Sequence, residues 1–287
     1  MAQKDPLSPV PDTLIRFLLP AAYTRGVIIR GSHIVADGMR IHRLSAEQGV
    51  VFGQTLLASL LLLSINKGGM RQVLQLDTLA TDATPVQRML AESRLGSVRG
   101  YVNSHPLIQP QLDQPATTIG AWMGQKLRLS TVRDLGFGNP YISSVEHQSP
   151  FLADHLISYL SQSVQIRADI ILHGDLAILI EAMPGCGEEQ WFKAVECLAK
   201  IPTATLSQES PEQILSFFHT LQCKQVSRDH YAYQCNCNPE QMAAAISTMN
   251  KDQLHELVDA SGQITVTCQY CGNHYSVPHR VDPKLLQ

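Results

Sequence analysis

Nothing at the start of this chain has the unbroken apolar core of a secretory signal: the first twenty residues, MAQKDPLSPVPDTLIRFLLP, are interrupted by four prolines. Export is not expected, and the cytoplasm, where thiols are kept reduced, is the compartment indicated. A membrane span is missing too. The segment nearest to one, Val50 to Ile65, has sixteen residues and carries Gln54, Thr55, Ser59 and Ser64, whereas a bilayer crossing needs about twenty mostly apolar residues. Neither sign of charge is in large excess, with a formal net charge of −3 and a pI near 6.4. That balance gives no electrostatic reason to expect nucleic acid or an anionic membrane as partner. Nor does a glycine-rich loop follow a strand to open a helix, which argues against a doubly wound sheet.

What is present is enough apolar material for a sizeable core. With 287 residues and 44% hydrophobic content, two domains is the natural expectation. Residues 1–183 read as a mixed α/β core domain, of α+β class because the elements do not alternate regularly. Strands are expected at Arg25 to His33, Gly69 to Leu76, Ser97 to Val102, Lys126 to Val132, Ser163 to Leu172 and Ala177 to Met183. Phe151 to Gln162 reads as a helix, and Val50 to Ile65 as a buried one. Ser45 can cap the start of that buried helix together with Gln48, Gly68 and Gly69 can end it, and Gly49 and Gly53 let a neighbour come close.

Met183, Pro184, Gly185, Cys186 and Gly187 make a strong turn signal, and residues 184–228 read as a helical linker. Glu188 to Lys200 places Trp191, Val195 and Leu198 on one stripe, with Phe192 and Ala199 beside it. Ser210, Pro211 and Gln213 open a second helix, which carries Ile214, Leu215, Phe217, Phe218 and Leu221. Such aromatics are ordinarily core. They gain interest where something can uncover them.

Residues 229–287 read as a compact module. It comprises a strand-like run from His230 to Gln234, a helix from Asn238 and Pro239 to about Thr248, and a second helix from Lys251 to Ala260. Short strands follow at Gln263 to Thr267 and His274 to Val277. Four of the chain's seven cysteines fall here in two doublets, Cys235 with Cys237 and Cys268 with Cys271. Positions i and i+2 at the end of a strand point to one face, and a CxxC fits a tight knuckle. Paired thiols in a long chain without a secretory signal read as one tetrahedral zinc site, ahead of two structural disulfides or four unrelated core cysteines. A module this small has little core of its own, so the metal could decide whether it folds.

Charge tests what such a module is for. From Arg228 to Gln287 the basic residues are Arg228, Lys251, Arg280 and Lys284, against Asp229, Glu240, Asp252, Glu256, Asp259 and Asp282. Four thiolates on a dication make the face more negative still, so DNA or RNA is not expected as partner. Four cysteines also close the coordination shell and leave no open position for catalysis, and no enzyme activity is expected. His274 is a possible substitute ligand, though a strand-facing histidine is the plainer reading. A thioredoxin-like reductase lacks its βαβ setting here. Chemistry remains possible at sulfur, because each doublet is positioned to turn a first sulfenic acid into a disulfide, Cys235 with Cys237 and Cys268 with Cys271. Oxidation would then expel the metal.

The tail, with Tyr270, Gly272 and Tyr275 around the second doublet, resembles the zinc centre of the heat shock protein 33 family. Arg99, Gly100, Tyr101 and Val102, then Gly136, Gly138, Pro140 and Tyr141, then Tyr159, Pro184 and Gly185 extend the resemblance over nearly the whole chain. The chain departs from the family at Ser163, Val164 and Gln165, where Ser-Glu-Gln is usual, near Asp77 to Pro85, which lacks a glycine-rich turn, and at Gly174, where a double glycine is usual. The resemblance implies a cytoplasmic, ATP-independent holdase chaperone that binds unfolding proteins and prevents their aggregation under oxidative stress. It implies one zinc per chain in the dormant reduced state, and a homodimer, switched on by disulfide formation and zinc release, in the active one. Trp191, Phe192, Phe217 and Phe218 are then the candidates for client binding, with an interaction protein built on a purely structural zinc as the alternative. Cys186, Cys197 and Cys223 read as ordinary thiols.

Overall fold

The computed structural model describes residues 10–278 except 67, 69, 106, 107, 109–114, 248, 250–253, 255, 256, 260 and 261. The chain divides into two compact units, residues 1–233 and 234–287. The fold is α+β, as the irregular alternation of helix and strand signals suggested.

The first unit is built on one long sheet. Its strands are β1 (Asp12–Leu19), β2 (Thr24–Arg30), β3 (Arg71–Thr78), β4 (Val86–Arg94), β5 (Ser97–Ser104), β6 (Lys126–Asp134), β7 (Tyr141–Gln148), β8 (Ala168–His173), β9 (Leu176–Ala182) and β10 (Lys224–Tyr233). Their order is β7-β6-β3-β4-β5-β10-β1-β2-β9-β8. The two halves meet where β10 pairs parallel with β5, through Ala232 with Ser97 and Tyr233 with Val98. Every other pairing among the described strands is antiparallel.

Between the halves lies α2 (Ala46–Ile65), beside α1 (Ser32–His42). Its core contains Leu14, Val27, Ile29, Ala177 and Leu179 from one half, and Leu74, Leu76, Met89, Val98 and Leu129 from the other. The helix begins with the expected capping box of Ser45 and Gln48, and its C-cap is Asn66. It is long and apolar enough to cross a membrane, but 72% of its most apolar window is buried inside the protein. Its buried hydroxyls have partners: Thr55 donates to Val51 O one turn back at 3.0 Å, and the Ser59 hydroxyl lies 2.9 Å from that of Ser93 on β4. Gly53 faces Val35 of α1 so closely that a Cβ would lie 2.7 Å from Val35 Cγ2.

Strands β1, β2 and β9 are apolar on both faces. Leu14, Val27 and Leu179 point to α2, while Ile15, Phe17, Ile28, Ile178 and Ile180 point away into a second core. That second core is closed by α5 (Glu188–Ala199), α6 (Thr203–Gln208), α7 (Pro211–Leu215) and a 3-10 turn, Ser216–Leu221. The segment read as a linker is thus a layer on the sheet within the first unit. Strand β10 runs across residues 228 and 229, where the sequence placed a border, and the compact unit ends at Tyr233.

Several elements differ from expectation. The strand expected over Arg25 to His33 ends at Arg30, and helix α1 takes Ser32 and His33 together with residues the sequence left unassigned, because its N-terminus is capped from a distant strand: Asp12 Oδ2 accepts from Ile34 N at 2.8 Å. Strand β1 was hidden by its lack of alternation, and β7 by its mostly polar and exposed residues. Strand β4 was also unread. The strand expected over Ser163 to Leu172 starts only at Ala168, because α4 (Leu152–Tyr159) continues as a π-helical turn, Leu160–Val164, and Gln165 then takes φ 60°. Val164 and Ile166, which suggested alternation, pack against the main core from this turn.

Candidate metal centre

Residues 234–278 hold α8 (Pro239–Ser247) and the hairpin of β11 (Gln263–Thr267) with β12 (His274–Pro278). The helix expected over Lys251 to Ala260 lies largely outside the described residues. Asn238 caps α8 as its sequence suggested, accepting from Gln241 N at 2.8 Å, with Pro239 at the first helical position. Ile246 and Ile264 are buried, and α8 packs against β12.

Cys268 and Cys271 sit in the turn between the strands. Cys268 N donates to Asn273 O at 2.8 Å and Gly272 N to Cys268 O at 2.7 Å, which folds the CxxC into a knuckle. Gly272 takes φ 66°, a left-handed conformation that glycine adopts without Cβ strain. Cys235 and Cys237 arrive on the irregular segment after β10.

The four Sγ atoms lie within 4.8 Å of one another. Two separations join the doublets, Cys235 to Cys268 at 3.7 Å and Cys237 to Cys271 at 3.4 Å. A tetrahedron of zinc–sulfur bonds of about 2.3 Å has edges of about 3.8 Å, so the set matches a four-thiolate site. Cys268 and Cys271 are 4% and 8% exposed. Burial raises the Cys268 thiol above its ordinary pKa, and Cys271 is raised by its hydrogen bond with Cys235 and then by burial. Thiols crowded in this way resist joint ionisation, and a bound cation is what reverses that. The donor set therefore fits a metal ion.

Tyr275 of β12 closes the site from the side. Its hydroxyl lies 3.1 Å from Cys237 Sγ and donates to Cys237 O at 3.0 Å. His274 points elsewhere, with Nδ1 2.8 Å from Thr267 Oγ1 across the hairpin.

The aromatic candidates divide. Trp191 and Phe218 are 8% and 0% exposed in the second core, Phe217 is half-buried against it, and Phe192 is 64% exposed. Cys186, Cys197 and Cys223 also pack against this core, partly exposed, and burial raises the thiols of Cys186 and Cys223. Polar contacts fasten the helical layer at its edges. Arg30 of β2 donates to Leu206 O at 2.6 Å and to Glu209 O at 2.8 and 3.2 Å, and pairs with Asp175 at 2.6 Å. Arg167 pairs with Glu188 at 2.5 Å and stands 5.9 Å from the Trp191 ring centre.

Sequence reasoning missed the sheet face under these helices, although the unbroken apolar run Leu176 to Ile180 signals a strand buried on both sides. It also missed Arg30, Asp175 and the approach of Tyr275 to Cys237, which no local pattern encodes.

A family model described as Hsp33 protein matches residues 12–278. A 33 kDa chaperonin of Lactobacillus delbrueckii subsp. bulgaricus is 27% identical over 278 residues, covering 92% of this chain and 94% of that one. A 33 kDa chaperonin of Geobacter sulfurreducens is 25% identical over 284 residues, covering 94% and 93%. In fold, the chain is similar to the crystal structure of the 33 kDa chaperonin (heat shock protein 33 homolog) of Thermotoga maritima, with a TM-score of 0.76, 24% identity and coverage of 95% of this chain and 97% of that one.

Proposed function

This chain belongs to the Hsp33 family, and we propose that it is an ATP-independent holdase, dormant while its four thiolates hold zinc and active once they are oxidised. The observation that carries this reading is the gathering of Cys235, Cys237, Cys268 and Cys271 within 4.8 Å in a unit with little apolar core of its own. Zinc bound there would keep the sulfurs as thiolates and supply about 10–16 kcal/mol, by the measure of zinc-finger peptides, toward folding of the unit.

Hydrogen peroxide and hypochlorite are both oxidants that attack thiolates. A thiolate attacks one peroxide oxygen, the O–O bond breaks, hydroxide leaves, and the sulfur, oxidised by two electrons, becomes a sulfenic acid. The other thiolate of the doublet attacks that sulfur, a second hydroxide leaves, and an S–S bond forms. Two peroxides thus convert Cys235 with Cys237 and Cys268 with Cys271 into disulfides, consuming all four ligands. Without the metal the tail unit unfolds. Its loss loosens the helical layer, baring Trp191 and Phe218 and the sheet residues Phe17, Ile28 and Ile180 beneath them, alongside Phe192 and Phe217. Exposed apolar surface of this kind binds the apolar segments of unfolding proteins without any catalytic step. In this reading the protein rests in the reducing cytoplasm and acts as a homodimer, with neither nucleic acid nor membrane as partner.

The test combines zinc release with client protection. Peroxide with mild heat is expected to free one zinc per chain to a colorimetric chelator, and the treated protein to suppress light scattering by a denaturing client. Cys268→Ser is expected to purify without zinc. Zinc retained under peroxide, or released without protecting the client, would leave the metal as a structural support for protein contact.

A further inference from the structure

Tyr275 brings a side-chain hydroxyl to the sulfur set from outside the two doublets. Its hydroxyl lies 3.1 Å from Cys237 Sγ and 3.0 Å from Cys237 O. The strand pairing of β12 holds it there, through Val266 opposite Tyr275 and Thr267 opposite His274. One hydroxyl has one proton and two lone pairs. When Cys237 is a thiol, its S–H can donate to the phenol oxygen while the phenol proton goes to Cys237 O. When Cys237 is a thiolate, sulfur can only accept, and the phenol proton is shared between Sγ and the carbonyl. A thiolate held by a metal ion can only accept, and hydrogen bonds to ionised acceptors are the stronger kind.

Such a bond has a chemical consequence. The lone pair that accepts the phenol proton is the density that would attack a peroxide, so a hydrogen-bonded thiolate is the poorer nucleophile. Cys235 and Cys237 are both only partly buried, whereas Cys268 and Cys271 are buried, so access alone would favour oxidation in the first doublet, where Tyr275 reaches Cys237.

We propose that Tyr275 is a positioning residue of the thiol switch, holding Cys237 back from the first attack by a hydroperoxide and so setting the threshold at which the metal is lost. This deepens the redox reading above and rests on it. The step concerned is the one already written: sulfur loses two electrons to the peroxide, the O–O bond breaks, and hydroxide leaves. Tyr275 alters its rate at Cys237 and takes no part in the products.

The test uses full-length Tyr275→Phe beside the wild type, with three readouts. Zinc release under peroxide is expected to quicken about three- to tenfold, the scale of one ordinary hydrogen bond, because the phenol proton is shared with the Cys237 carbonyl. Trapping of sulfenic acid with a cyclic diketone, mapped by mass spectrometry, is expected to rise at Cys237. With cobalt(II) at saturating concentration in place of zinc, the thiolate-to-metal charge-transfer band is expected to move to longer wavelength while the tetrahedral ligand-field bands keep their intensity. A tyrosine that merely packs the hairpin would weaken the ligand-field bands and leave the charge-transfer energy alone.

Unchanged release, labelling and charge-transfer energy in the variant would overturn the proposal and leave the redox reading intact. A variant that takes up no cobalt at saturation would overturn it too, by making Tyr275 a residue of folding. Wild-type protein that keeps its zinc under peroxide would overturn the redox reading itself, and the role of Tyr275 with it.

Discussion

Removing the Arg30 guanidinium while keeping its aliphatic stem, as Arg30→Met, tests how firmly the helical layer is fastened to the sheet. Arg30 Nη2 donates to Leu206 O at 2.6 Å and to Glu209 O at 2.8 Å, and Nη1 to Asp175 at 2.6 Å. The Arg30 side chain is 17% exposed, so water replaces little of what is lost. A hydrogen bond to a charged group contributes about 1.5–3 kcal/mol, and with two carbonyls and a carboxylate losing their donor together a net loss of about 2 kcal/mol in docking of α6 is a conservative figure. At 1.4 kcal/mol per tenfold, that makes the open form of residues 203–209 about thirty times more populated. Hydrogen exchange of the reduced, zinc-loaded protein reads this directly. The amides of Leu206 and Glu209, bonded to Pro202 O and Thr205 O, are expected to exchange about thirtyfold faster, while amides in β2 and β9 keep their protection. Arg167→Met is the control: its ion pair with Glu188 is 43% and 66% exposed, and such surface pairs contribute only about 0–1 kcal/mol. Equal exchange in Arg30→Met and wild type, or acceleration spread evenly over the sheet, would refute the idea that Arg30 latches the layer.

Two further outcomes follow from the main core. A Cβ at Gly53 meets rigid Val35 at 2.7 Å, whereas one at Gly49 meets the flexible side chain of Met39. Gly53→Ala is therefore expected to cost about 1–3 kcal/mol by overpacking and Gly49→Ala to be near neutral, with thermal melting of the two variants as the check. His155 is buried with Nε2 2.9 Å from Ser149 O and, among the described residues, no hydrogen-bond partner for Nδ1, and burial lowers its pKa. Because the unfolded chain takes up that proton first, stability present above the ordinary histidine pKa of about 6.5 is lost as pH falls from there through the lower folded value. Urea midpoints measured between those limits are expected to fall more in wild type than in His155→Gln, and parallel profiles would exclude the histidine as cause.

What the sequence disclosed and what it hid divide by the range of the interaction. The two cysteine doublets, the capping boxes at Ser45 and Ser210 and the glycines facing α1 are all short-range signals, and each appears where its spacing indicated. Helix α1 stayed invisible because its cap comes from Asp12, on a strand outside the helix. The second core stayed invisible because residues such as Ile178 and Ile180 carry no alternation once both faces of a strand are covered. Tyr275 was noticed only as a neighbour of the second doublet, since its contact is with the first, across the hairpin.

The first strand of the sheet and the buried helix also bear on how the protein is made. On the ribosome, β1 emerges early, yet its partner β10 is the last strand of the unit, with Asp12 opposite Tyr231 and Leu18 opposite Lys224. Helix α2 is synthesised before β3 to β9, which supply most of its cover, and its most apolar window has a mean hydropathy of 1.7. At about 5–20 residues per second, some two hundred residues of further translation leave β1 half-paired for roughly 10–40 s, and α2 stays partly uncovered until β9 has been made. During that interval the nascent chain exposes an unpaired strand edge and apolar surface of its own, the features that make partly folded chains aggregation-prone.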